Sequence, residues 1–170
     1  QQHGGWVDVE STPGRGTTLT SLLPASSGSG SGPPAAHETA ATSSGETILI
    51  VEDEGEVRSI LGQILTGLGY IVVEAADGQE ALGILDERGA QIDLVITDVV
   101  MPNLGGKDLY DAVRTNGPGP AFLFSSGYAE TQLDETLARD AHTAFLGKPY
   151  GINALAAKVR EVLDQRLRDA

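Results

Sequence analysis

Beyond residue 46, apolar positions fall into two alternating rhythms. Residues 47–51, Thr-Ile-Leu-Ile-Val, form an unbroken run of the kind a parallel strand shows when both of its faces are covered. Val57, Ile60, Leu61, Ile64, Leu65 and Leu68 then recur at three- and four-residue spacing, one face of a helix, and Gly69 is placed to end it. The same alternation continues through a strand at 70–75 and a helix opening at Asp77, with Glu80 three residues on as the reciprocal capping partner. Next come a strand at 92–97, a helix at 107–114, a strand at 121–125, a helix at 131–139 and a strand at 143–147. A last helix places Ile152, Leu155, Val159, Val162 and Leu163 on one face. Five strand–helix units joined by right-handed crossovers predict an α/β fold, a doubly wound five-stranded parallel sheet with helices on both faces.

Upstream the texture changes. Residues 1–24 read as two short strands, 6–10 and 17–23, on either side of the turn-rich Ser11-Thr12-Pro13-Gly14-Arg15-Gly16, a small hairpin-like unit. Residues 25–45 are small and polar, a composition that behaves as a flexible linker. The predicted organisation is therefore an N-terminal piece at 1–24, a linker at 25–45 and one α/β domain at 46–170.

Composition narrows the chemistry. The 170 residues include no cysteine, so disulfides, thiolate metal sites and cysteine nucleophiles are excluded. No apolar run approaches a membrane span and no leader-like segment opens the chain, which predicts a soluble, cytoplasmic location without membrane contact. The formal charge is −13, from 11 basic and 24 acidic residues. Only Asp8, Glu10, Glu38 and Arg15 precede Glu46, so the α/β domain carries nearly all of it. Such a surface repels nucleic acid and suits divalent cations or basic partners.

Ligands of open parallel sheets bind outside the carboxyl ends of the strands, where strand order reverses. The residues just past each strand are Glu52, Asp53 and Glu54 after the first, Asp98 after the third, Ser125, Ser126 and Gly127 after the fourth, and Lys148 and Pro149 after the fifth. Taken alone, Glu52-Asp53-Glu54 reads as a solvated helix N-terminus favoured by the dipole. Gathered on one edge with Asp98, the same carboxylates repel one another until a cation joins them. Hard oxygen ligands open to solvent suit Mg²⁺, which keeps waters and takes further ligands from phosphoryl groups. An aspartate nucleophile, magnesium, an ammonium and a hydroxyl together suit phosphoryl transfer to a carboxylate. Strand alternation lets only one of Ser125 and Ser126 face the site, and Ser126 is the expected one, with Ser125 turned to core or backbone. His3, His37 and His142 follow no helical pattern and read as surface residues.

Four segments in register carry a resemblance: Ile50-Val51-Glu52-Asp53-Glu54, Ile96-Thr97-Asp98-Val99-Val100-Met101-Pro102 with Gly106 beyond, Phe124-Ser125-Ser126-Gly127-Tyr128, and Gly147-Lys148-Pro149-Tyr150. Over residues 46–170 the chain resembles the receiver domains of bacterial two-component response regulators, with their flavodoxin-like (βα)5 fold. The resemblance implies that Asp98 is the phosphoacceptor. Asp53 and Asp98 would ligate Mg²⁺ with the Val100 backbone carbonyl, and Glu52 would act mainly through water. It also implies Ser126 as switch hydroxyl, Lys148 as the site lysine and Phe145 as switch aromatic. The re-packing would alter the face formed by the domain's fourth helix, fifth strand and fifth helix. Glu52 stands where Asp is commoner, and Phe145 where many relatives have Tyr. Val100 and Tyr128, each two residues past a site residue, are bulky enough to hinder an attacking water and lengthen the life of the phosphoryl group.

A second resemblance covers Gly4-Gly5-Trp6-Val7-Asp8-Val9-Glu10-Ser11 and Pro13-Gly14-Arg15-Gly16-Thr17-Thr18-Leu19, which are similar to the very end of a histidine-kinase ATPase domain. The chain opens without Met. It reads as the C-terminal piece of a hybrid histidine kinase whose catalytic core is not in this sequence, with the two remnant strands disordered or paired to another edge. Implied partners are a histidine kinase or a histidine phosphotransfer domain, and a second copy of the chain. The domain would catalyse only its own phosphorylation and dephosphorylation. Competing readings are an aspartyl-phosphate phosphohydrolase, which usually carries Asp-x-Asp after its first strand, a flavin module, whose phosphate three carboxylates would repel, and a docking-only module, which has no use for an acidic pocket.

Overall fold

A computed structural model describes residues 6–22, 45–115, 117, 119–127, 137, 140 and 142–169. The chain divides into two units, Gln1–Thr39 and Ala40–Ala170. In the first, β1 (Trp6–Thr12) and β2 (Gly16–Leu22) form an antiparallel hairpin. The strands run further toward the turn than the pattern predicts, because Ser11 and Thr12 still pair with Thr17 and Gly16 and only three residues are left to turn the chain. Gly14 and Gly16 supply the left-handed backbone that this turn requires (φ 76° and 95°). The two strands pair with each other, which corrects the expectation that they would be disordered.

The second unit holds five parallel strands: β3 (Thr47–Val51), β4 (Ile71–Ala75), β5 (Leu94–Asp98), β6 (Ala121–Ser126) and β7 (Thr143–Gly147). Their order is β4-β3-β5-β6-β7, so the chain reverses direction across the sheet between β3 and β5. The helices are α1 (Gly55–Gly67), α2 (Gly78–Arg88), α3 (Gly106–Thr115) and α4 (Ile152–Asp169). The expected helix at 131–139 lies outside the described residues except for Leu137, which is helical and buried. The expected linker at 25–45 lies outside them except for Gly45, as do His3, His37 and Tyr128.

Alternation along each strand splits the core in two. Ile48 and Ile50 of β3, with Leu94, Ile96 and Leu123, pack against Leu61 and Leu65 of α1 and Leu155, Val159 and Val162 of α4. Leu49 and Val51, with Val95, Phe122 and Phe124, pack against Ala81 and Leu85 of α2 and Leu109 and Tyr110 of α3. Covering on both faces is the reason the strands read as unbroken apolar runs. Two positions assigned to buried faces are exposed. Ile60 (57% exposed) lies about 120° round the helix from the midpoint of Leu61 and Leu65, at 100° per residue. Ile152 (57%) is the first residue of α4, ahead of the turn that meets the sheet.

Helix ends follow from local chemistry. Gly69, left-handed at φ 93°, ends α1 as expected. Asp77 caps α2, its carboxylate accepting the Glu80 N–H at 2.9 Å. Glu80 reaches back to the Ala76 N–H at 2.7 Å, one residue before the position a standard capping box uses. Among the described residues no helix is long and apolar enough to cross a membrane.

Candidate functional site

Strand register brings the site residues to one level. Val51 pairs with Thr97, so Glu52 and Asp98 leave their strands together, on either side of the point where strand order reverses. Asp98 in turn pairs with Ser125, and Ser126 with Gly147, the residue before Lys148. The Lys148 N–H donates to the Ser126 carbonyl at 2.7 Å, extending the ladder by one step. The Lys148–Pro149 peptide is cis.

At the centre stands the Lys148 ammonium. Its Nζ donates to Glu52 Oε2 and to Asp98 Oδ2, each at 2.9 Å. Burial works against the charge on Lys148, but hydrogen bonds to Glu52 and Asp98 and their negative charges outweigh it and raise the lysine above its ordinary pKa. Glu52 is buried at 4% exposure, which leaves the ammonium as the group that balances it. The other Asp98 oxygen, Oδ1, accepts the Val100 N–H at 3.2 Å, so the carboxylate is held from two sides.

Glu52, Asp98 and Lys148 thus meet at one point. Asp53 is exposed on the turn beside Glu52, and Val100 is exposed on the turn after β5. Ser126 ends β6 partly exposed, while Ser125 is buried. Ser125 is turned to the core, one of the two orientations expected of it, and donates there to the Tyr150 hydroxyl at 3.1 Å. Phe145 is half-buried and stacks on Phe124, centroids 5.3 Å apart and planes 17° apart. His142 is half-buried, and its N–H donates to the Asp140 carboxylate at 2.8 Å.

Three supports of this site had no role assigned to them from the sequence. The Arg58 guanidinium, on the first turns of α1, donates to the Glu52 carbonyl and lies 3.6 Å from Glu74. Tyr150 accepts from Ser125, the residue paired with Asp98 on the neighbouring strand. Gly106, the first residue of α3, lies against the Asp98 carbonyl and Thr97 so closely that a Cβ has no room. An arginine in a helix or a tyrosine after proline has no periodic signature. The Gly106 requirement was visible only through the resemblance.

The donor set suits a hard cation: Glu52, Asp53 and Asp98 leave adjoining strand ends, with one ammonium among them. Among the described residues no three acidic or imidazole side chains form a ready cage. Magnesium does not demand one, since it retains waters and is held by one or two carboxylates plus phosphoryl oxygens.

Comparison with known proteins bears on this arrangement. The family model described as "Response regulator receiver domain" matches residues 48–160. The sensor kinase CckA of Brucella abortus (strain 2308) is 38% identical over 174 residues, covering 98% of this chain. The chain spans 18% of that kinase's length. A crystal structure of the receiver domain of hybrid histidine kinase CckA is 40% identical and superposes with a TM-score of 0.58, covering 69% of this chain and 98% of that one. The response regulator TrrA of Thermotoga maritima, solved in complex with Mg(2+)-BeF, is 25% identical with a TM-score of 0.60, over 69% of this chain and 98% of that one.

Proposed function

The chain belongs to the response regulator receiver family of two-component signalling, and from that premise we propose that Asp98 accepts a phosphoryl group from a phosphohistidine. The observation that carries the reading is Lys148 Nζ at 2.9 Å from both Glu52 and Asp98, an ammonium fixed across two carboxylates from separate strands. An Asp98 oxygen attacks phosphorus, the P–N bond breaks, and the imidazole leaves with the bonding pair and takes a proton from solvent. Lys148 keeps the carboxylate oriented beforehand and afterwards exchanges a carboxylate oxygen for a phosphoryl one. Ser126, at the end of the adjacent strand, supplies a hydroxyl to the same group, and Phe145 re-packs on Phe124 as Ser126 moves.

Glu52, Asp53, Asp98 and the Val100 carbonyl would hold magnesium, which neutralises charge building on the equatorial phosphoryl oxygens. The fit rests on an all-oxygen donor set whose acids outnumber its ammonium, and the Mg(2+)-BeF complex of TrrA points the same way. The phosphodonor is a histidine kinase or a histidine phosphotransfer domain, and the domain catalyses only its own phosphorylation and dephosphorylation. The likeness to sensor kinase CckA runs over 98% of the chain, hairpin included, which supports the N-terminal strands as the end of a histidine-kinase ATPase domain in a hybrid kinase.

The test is labelling by acetyl phosphate with magnesium or with EDTA, read by intact-protein mass. Wild type gains one phosphoryl group only with magnesium, and Asp98→Asn gains none. Full labelling of Asp98→Asn would overturn the assignment.

A further inference from the structure

The turn between β5 and α3, residues 99–105, carries the Val100 carbonyl and borders Asp98. Its near end is tied by the Val100 N–H to Asp98 Oδ1 at 3.2 Å and by the Gly106 N–H to the Val99 carbonyl at 3.2 Å. Its far end is held by a different element, the N-terminus of α2. There the Gly78 N–H donates to the Leu104 carbonyl at 3.2 Å, and the Asn103 amide donates to Asp77 Oδ2 at 2.6 Å. Asp77 is the α2 cap, and it divides its oxygens: Oδ1 takes the Glu80 N–H and Oδ2 takes Asn103.

Two further features fit the residues at this contact. Asn103 is the only described non-glycine residue with positive φ (63°), a left-handed backbone that asparagine accepts more readily than other side chains and from which its amide meets Asp77. Gly78 lies so close to Leu104 that a Cβ there would meet the Leu104 carbonyl carbon and side chain at 3.0 Å. The anchor is itself rigid, because Glu80 also binds the Ala76 N–H.

We propose that Asp77 and Asn103 form a clamp that fixes the 99–105 turn and thereby positions the Val100 carbonyl for magnesium, with both as positioning residues. The metal part of this inference rests on the phosphoacceptor reading. The clamp itself does not.

Capping and clamping can be separated because they use different oxygens. Asp77→Ser keeps one oxygen for the Glu80 N–H and loses the one that holds Asn103. Asn103→Gly removes the amide while relieving the backbone. Asp77→Asn retains the cap and can still pair amide to amide. Calorimetric titration of the unphosphorylated protein with magnesium chloride should show affinity weakened about threefold to tenfold by Asp77→Ser and by Asn103→Gly, the worth of one exposed charge-assisted hydrogen bond. The double variant should be no weaker than the worse single, since both remove one interaction, and Asp77→Asn should recover most of the loss. Amide exchange at Val100 and Gly106 should quicken in both single variants while α2 amides stay protected. Unchanged affinity in both, or losses that add in the double variant, would overturn the positioning role. Unchanged exchange at Val100 and Gly106 would overturn the clamp. Failure of the wild type to bind magnesium would instead count against the metal reading, and exchange would still decide the clamp.

Discussion

Replacing Lys148 by Met tests how far the site depends on one ammonium. Glu52 Oε2 and Asp98 Oδ2 each lie 2.9 Å from Nζ, so the two oxygens can be no more than about 5.8 Å apart. At an effective dielectric of ~20, two full charges at that distance repel by about 3 kcal/mol. In the wild type the ammonium outweighs this, whereas in Lys148→Met the repulsion stands alone, with Glu52 too buried for water to screen it well. Allowing for side-chain relaxation, we expect a loss of about 2–3 kcal/mol in urea unfolding at low salt in EDTA. Magnesium should return more stability to the variant than to the wild type, because a cation then enters a site with no competing ammonium. A variant within about 0.5 kcal/mol of wild type, with the same response to magnesium, would refute the picture of carboxylates held together by Lys148.

Three further outcomes are expected. Gly106→Ala places a Cβ against the Asp98 carbonyl and within 2.9 Å of Thr97 Cγ2, so it should cost about 1–3 kcal/mol by urea unfolding and slow Asp98 labelling. Asp140 is desolvated, which alone would raise its pKa. Hydrogen bonds from Tyr110 and the His142 N–H, with Arg114, outweigh this and hold it below the usual aspartate range. A depressed folded-state pKa contributes stability above the unfolded value that is lost as pH falls through the folded one, so Asp140→Asn should be less stable than wild type at neutral pH, with the gap starting to close at about pH 4 and vanishing only below the depressed folded-state value, measured by urea unfolding across pH. Val100, 73% exposed beside Asp98, should shield the phosphoryl group, and Val100→Gly should shorten the phospho-Asp98 half-life measured by mass after donor removal. An unaltered half-life would remove Val100 from that role.

The pattern of apolar runs and helical spacings determined the α/β alternation, because covering a strand on both faces demands an unbroken apolar sequence. It also determined which residues stand at strand ends, and with them the acids, the serines and Lys148. Gly69 and Asp77 announced their helix ends, since left-handed backbone and an orphan N–H each call for a particular residue type. Tertiary structure alone decided the rest. Which strands are neighbours, and hence that Lys148 reaches both Glu52 and Asp98, depends on register between segments 96 and 50 residues apart. Ile60 and Ile152 are apolar at helical spacing yet exposed, because a helix's buried stripe is set by what packs on it. The Asn103–Asp77 and Ser125–Tyr150 pairs joined residues 26 and 25 positions apart with no periodic signal. Local rules act over a few residues, whereas a site assembled across a sheet exists only once the strands have chosen their partners.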